Sequence, residues 1–180
     1  METFTAPRAF LEDHRYTKDR EDALKALALD SIDEPIVDIV TTFSKIPYCF
    51  TLQCCYGHFV CAPEQNPHNL DSISHSSTGL VRYRIAYLAF CLENSQRGRD
   101  LWRSLARVPM IDLEYVQFGS ADWFWDLRVN SYVLQVEPYA QQHKDEVILG
   151  HTEALHLQGV RDLFFKEIRA LLVEELRVAG

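Results

Sequence analysis

The 180-residue chain has no run approaching the roughly 20 apolar residues that a membrane-spanning helix needs, and a cytoplasmic protein without membrane contact is expected. Its first residues, Met1-Glu2-Thr3-Phe4, show neither the basic nor the apolar region of a secretory leader. Cysteine is sparse and odd in number, five in all, and four of them crowd between Cys49 and Cys61, which suits reduced thiols better than an extracellular disulfide framework. Glycine is also sparse. Neither G-x-x-x-x-G-K-[ST] nor G-x-G-x-x-G occurs, which argues against nucleotide hydrolases and dinucleotide-dependent oxidoreductases, and the lack of H-E-x-x-H argues against zincin proteases. Basic charge is in deficit, with 18 Lys+Arg against 26 Asp+Glu and a formal net charge of −8. A chain of that sign repels duplex nucleic acid at long range.

What remains is ordinary globular composition, 47% hydrophobic and 24% charged. One domain over residues 31–180 is expected, preceded by a helical extension over residues 1–30. Residues 1–46 hold 6 basic and 10 acidic groups, whereas residues 82–107 hold 6 basic and 2 acidic. Any RNA contact would centre on that second segment, on Arg82, Arg84, Arg97, Arg99, Arg103 and Arg107; the alternative is a solvated helix face.

Hydrophobic spacing predicts a helix over 17–29 and a second one after Ser31-Ile-Asp-Glu34, which has the form of a capping box. Ile36, Ile39, Val40 and Phe43 form its apolar stripe, and Pro47 ends it. Asp33 reads as a helix-start acid and Asp38 as a solvated carboxylate. Tyr48 to Cys55 and His58 to Ala62 read as strands joined by Tyr56-Gly57 in a tight hairpin, followed by a loop over 63–79. Arg82 to Glu93 reads as one strand or two, Ser95 to Val108 as a helix, and Ile111 to Phe118, Trp123 to Leu127 and Tyr132 to Glu137 as strands. From about His143 to Val178 the pattern is helical, with breaks expected at Gly150 and Gly159. The order predicts an α+β fold, a mixed, mostly antiparallel sheet covered by helices.

Strand alternation in the hairpin divides its side chains. Phe50, Leu52, Cys54, Phe59 and Cys61 form a face to pack on the helix of Ile36 and Val40; Thr51, Gln53, Cys55 and His58 form a polar face, either solvent-facing or the floor of a ligand pocket.

Two segments here resemble the tRNA wybutosine-synthesis methyltransferases. Asp33-Glu-Pro-Ile-Val-Asp-Ile-Val40 followed by Phe50-Thr-Leu-Gln-Cys-Cys-Tyr-Gly-His58 is similar to that family's acidic-start helix and its Phe-Thr-Thr-Ser-Ser-Cys-Ser-Gly-Arg strand and turn. Val133-Leu-Gln-Val-Glu-Pro-Tyr139 is similar to its Leu-Lys-Phe-Glu-Pro-Phe strand end. Cys55, Gly57, Glu137 and Pro138 match the family pattern; Cys54, Tyr56 and His58 stand where it has Ser, Ser and Arg, and Asn94 where it has His. The resemblance implies S-adenosylmethionine-dependent methyl transfer to a tricyclic guanosine derivative of tRNA, with Thr51, Gln53, Cys55 and Gly57 at the cofactor.

Methyl transfer from a sulfonium is an in-line displacement that mainly needs positioning and sometimes a base. His58 and Glu137 are the candidates for base or for holding the cofactor's amino-acid end; for Glu137 the other reading is an exposed strand-end carboxylate. As strand residues, Trp123 and Trp125 would share a side, and serve as a stacking platform for a base, as core, or as a homodimer contact. No metal is expected, because no C-x-x-C pair occurs and Cys54 and Cys61 fall on the core face. A Cys55 nucleophile activated by His58 lacks a visible third orienting group. Two function classes follow: a methyltransferase meeting tRNA or a nucleoside-like small molecule, and a non-enzymatic small-molecule-binding or protein-interaction domain.

Overall fold

In the computed structural model, which describes residues 4–75, 78–141 and 144–179, helices cover two antiparallel sheets. The larger sheet has the order β1 (Phe4–Thr5), β6 (Val116–Ala121), β7 (Ser131–Val136), β5 (Ala86–Leu92) and β2 (Cys49–Cys55). The smaller has the order β3 (His58–Val60), β4 (Leu80–Arg84) and β8 (Glu146–Gly150). The fold is α+β, as the element order predicts.

The central strands β5 and β7 are buried almost throughout because helices lie on both faces of the larger sheet. One face presents Leu88, Phe90, Leu92, Leu134 and Val136 to a main core closed by α2 (Val37–Lys45), α3 (Gln96–Leu105) and α5 (His151–Ala179). Ile36, Ile39, Val40 and Phe43 are buried as their spacing predicts. The capping box does not form: short 3-10 turns over Leu29–Ser31 and Glu34–Ile36 precede α2, and no side chain caps them. Ser95 does cap α3, accepting the Gly98 N–H. The opposite face is lined by α1 (Tyr16–Ala26), whose Tyr16 ring packs on Phe50 at 5.7 Å, and by α4 (Asp122–Leu127). Residues of the expected N-terminal extension thus supply an edge strand and a covering helix to the same body.

The hairpin does not form. β2 pairs with β5 and β3 with β4, so the chain leaves the larger sheet at Cys55, turns through Tyr56-Gly57 and enters the smaller sheet at His58. It crosses back at Ile85, and Arg82 to Glu93 is therefore two strands in two sheets. The crossings lie side by side. Gly57, at φ +90°, sits so close to Ala86 that an added Cβ would lie 2.8 Å from the Ala86 Cβ. Tyr83 ties the sheets together, its hydroxyl donating to the Val136 carbonyl and accepting the Ala86 N–H, each at 2.9 Å.

A bulge between Thr51 and Gln53 also breaks the predicted alternation. Leu52 and Gln53 both fall on the α1 and α4 side, while Cys54 turns to the main core. The apolar set predicted for one face is therefore split, with Phe50 and Leu52 against α1 and not α2.

Two further expectations are corrected. Trp123 to Leu127 is a single turn and a half of helix, not a strand, and its tryptophans diverge: Trp123 is 63% exposed, whereas Trp125 is buried with its edge to Tyr132. The C-terminal segment begins as strand β8, and α5 runs through Gly159 unbroken because that glycine is on the exposed face with open space around it. His143 lies outside the described residues.

Candidate functional site

A cleft of about 940 Å³ opens on the α4 side of the larger sheet. That volume lies within the roughly 300–1,000 Å³ typical of small-molecule sites. Gln53 and Tyr87 form part of its floor with Val133, Gln135 and Glu137; Phe4, Trp123 and Phe124 make one wall and Arg84, Lys144, Asp145 and Glu146 another. Among the described residues the lining holds five carboxylates, from Asp122, Asp126, Glu137, Asp145 and Glu146, and two cations, Arg84 and Lys144; Arg8 pairs with Asp122 and Arg82 with Glu146, so the acidic excess is slight. Glu137 is not an exposed strand-end carboxylate. It is fully buried; its Oε1 accepts from the Gln135 amide, and its backbone carbonyl accepts from the Gln117 amide at 3.3 Å.

The structure brings together some predicted residues and separates others. Gln53, Glu137, Arg84 and Trp123 meet at the cleft. Thr51, Cys55, Gly57 and His58 do not line it. Arg97, Arg99 and Arg103 are on α3, with Arg97 over the Tyr48 ring, Arg99 on Asn94 and over Phe10, and Arg103 paired with Asp100. Arg82 makes a 4.0 Å pair with Glu146. Trp125 is core, stacked beneath Arg8. Asp38 is exposed as expected but paired with Arg169 at 2.6 Å.

A second constellation sits at the crossing between the sheets. Cys55, the last residue of β2, and His58, the first of β3, meet Asp33 from the turn before α2, and all three offer a ligand atom within 4.8 Å of the others. The His58 Nε2 lies 3.3 Å from Asp33 Oδ2, and its Nδ1 lies 3.3 Å from the Asn69 carbonyl oxygen. Asp33 also accepts the Tyr56 N–H at 2.8 Å. Asp33 therefore works across the chain rather than as a helix-start acid, and it is the third group that was not visible beside Cys55 and His58. Proximity in sequence revealed the pair; Asp33 lies more than twenty residues upstream with no spacing to mark it.

Hydrogen bonding to Asp33, then to Cys55, raises the His58 pKa to about 10 despite its burial. For Asp33, burial pushes upward, but hydrogen bonds from His58 and Tyr56 outweigh it and hold the carboxyl below its usual value. The consequence for stability follows from the signs. In metal-free protein the stabilisation from His58 is complete below its unfolded pKa of 6.5 and is lost as pH rises through about 10. That from Asp33 is present above 3.8 and is lost as pH falls below it. Melting temperature measured against pH in chelator should show an excess for the wild type over Asp33→Asn that is largest between these limits and shrinks toward both extremes; an excess that grows with alkali would refute the pairing.

Arg161 is the functional-looking residue that sequence reasoning passed over. It is buried on the inner face of α5, donates to the Gly57 carbonyl at 3.0 Å, and lies over the rings of Tyr56 and Phe59 at 4.1 and 5.1 Å. The signal was there: an arginine on the same face as Leu157, Val160, Phe164 and Ile168.

No family model matches the chain, and no curated protein does. Among solved structures, the PH1069 protein from Pyrococcus horikoshii aligns with a TM-score of 0.50 at 12% identity, covering 89% of this chain and 96% of that one. A second structure of PH1069, from strain OT3, aligns at 0.48 with 14% identity over 92% and 95%. A hypothetical protein from Aeropyrum pernix aligns at 0.41 with 12% identity over 78% and 97%. The first of these shows a shared fold. At that identity the likeness concerns architecture alone.

Proposed function

We propose that the cleft binds S-adenosylmethionine and that the protein is a methyltransferase acting on a modified guanosine of tRNA, as its resemblance to the wybutosine-synthesis methyltransferases implies. One observation carries this reading: Gln53 and Glu137, from the two separate segments of resemblance, line one cleft of nucleoside size. When bound, the cofactor supplies a methyl group already activated on a sulfonium. The slight excess of carboxylates, with Asp126, Glu137 and Asp145 in the lining, suits the positive charge of that sulfonium and of the ligand's ammonium group. Trp123 and Tyr87 offer aromatic faces to a purine, Gln53 offers both a donor and an acceptor, and Arg84 and Lys144 offer cations to a ligand carboxylate.

A second reading is favoured by a different observation. The residue that stands in place of the family's arginine, His58, is turned away from the cleft and held by Asp33 and Asn69. A non-enzymatic small-molecule-binding domain of the same fold accounts for that change, since an imidazole cannot reproduce the bidentate grip of a guanidinium.

Isothermal titration calorimetry with S-adenosylmethionine and S-adenosylhomocysteine tests the first reading. Binding of both is expected, and Trp123→Ala should weaken it about 10-fold, in keeping with roughly 1–3 kcal/mol for a base–aromatic stack. Trp123 is exposed, so its variant should melt with the wild type. No heat with either ligand would overturn the proposal and leave the second reading.

A further inference from the structure

We propose that Asp33, Cys55 and His58 form a site for a zinc-type divalent cation, with three protein ligands and a fourth position open toward solvent. Three observations support it, none of them dependent on the cleft, to which none of these residues contributes.

The first is convergence. In a thiol–imidazole–carboxylate relay, the thiol and the carboxylate sit on opposite ring nitrogens, so that the three groups lie in a line. Here they close a triangle, because the ligand atoms of Asp33, Cys55 and His58 all lie within 4.8 Å of one another, with Nε2 3.3 Å from Asp33 Oδ2. The nitrogen that a relay would need for its third member is already taken by the Asn69 carbonyl.

The second is orientation. A histidine that ligates a metal through one nitrogen characteristically donates its other N–H to a carbonyl or carboxylate, which fixes the tautomer and points the lone pair. The Asn69 oxygen, 3.3 Å from Nδ1, does this, and Nε2 is thereby directed at Asp33 Oδ2. The Tyr56 N–H fixes the carboxylate in turn.

The third is size. Bonds of about 2.0–2.1 Å from zinc to nitrogen and to oxygen, at tetrahedral angles, place the two ligand atoms about 3.3 Å apart. The Nε2 to Oδ2 separation is 3.3 Å. The zinc–sulfur bond, about 2.3 Å, calls for sulfur at about 3.6 Å from each of them, and the three atoms already lie within 4.8 Å of one another. Cys55 and His58 are buried, while the Asp33 side chain is 23% exposed, so the approach for the ion and for a fourth ligand is on the Asp33 side. Thiolate, imidazole and carboxylate together select zinc and cobalt over magnesium or calcium, which take oxygen sets.

Titration of the full-length, chelator-treated protein with cobalt(II) provides the test. One equivalent should produce a thiolate-to-cobalt charge-transfer band and tetrahedral visible bands, and zinc should displace it. Cys55→Ser should abolish the charge-transfer band, whereas Cys61→Ser should keep it. Asp33→Asn should weaken binding by at least the roughly 10–100-fold that loss of an outer-sphere partner costs. Because Cys55→Ser is a buried change, the wild type alone provides a second measurement: its melting temperature should rise on adding zinc, and not on adding magnesium. A featureless cobalt spectrum, a band that survives Cys55→Ser, or a melting temperature indifferent to zinc would each overturn the site.

Discussion

Gly57→Ala is expected to destabilise the protein by about 4 kcal/mol, a large part of the 5–15 kcal/mol that typically holds a domain together. Two costs combine. The residue sits at φ +90°, where an L side chain is strained by about 1–3 kcal/mol. Its new methyl would also meet Ala86 Cβ at 2.8 Å and the Ala86 backbone nitrogen at 3.1 Å, and a backbone wedged between two sheets cannot swing aside as a flexible side chain does. Gly79→Ala separates these contributions, because Gly79 has φ +112° but nothing within 4 Å of the added atom, so it should lose only the conformational part. Urea denaturation decides it: a lower midpoint at unchanged slope for both variants, with the larger displacement for Gly57. Equal displacements would mean that the two crossings do not press on each other.

The second large effect is expected at Arg161, where truncation to alanine should cost about 3 kcal/mol. The loss has three sources: an unsatisfied Gly57 carbonyl at about 1–3 kcal/mol, the stacking of the cation on Tyr56 and Phe59, and the packing of a buried stem. The neighbouring Asp162, which also accepts from the guanidinium, is half exposed and contributes little to the balance. Arg161→Lys keeps the charge but loses the planar fork, and should recover only part of the stability. Full recovery by lysine would show that charge alone matters there.

Both effects fall at the crossing between the sheets, where a hairpin is the expectation from the sequence. Gly57 was rightly read as a turn glycine, but a turn between neighbouring strands and a turn between two sheets require the same backbone freedom, and nothing in Tyr56-Gly57 distinguishes them. The alternation of β2 was misread for a related reason. Gln53 is the one exposed residue of β2, so little of the strand faces solvent to enforce a polar–apolar period, and the bulge at Leu52 shifts the phase without leaving a glycine to mark it. Helices of ordinary amphipathic design were legible: Ile36, Ile39, Val40 and Phe43 are buried where their spacing placed them, and α3 lies within the helix expected over Ser95 to Val108. The six-residue α4 was not, since a run of Trp, Phe and Leu satisfies a strand as readily as a short helix. As for the site, Gln53 and Glu137 were each legible as candidates, but the acids Asp122 and Asp126 on one side of the cleft and Asp145 and Glu146 on another come from two separate segments that only the tertiary structure gathers.

The outermost strand of the larger sheet bears on self-association. Among the described residues β1 is Phe4–Thr5; it is followed closely by Pro7 and fits against β6 because Gly119 leaves room: a Cβ there would lie 2.2 Å from the Thr5 carbonyl oxygen and 2.6 Å from the Phe4 ring. A rim followed so soon by a residue with no N–H to donate gives an incoming strand from another molecule little to zip onto beyond Thr5. Removing it would bare the flank of β6, a six-residue template, and would turn a shielded margin into an adhesive one.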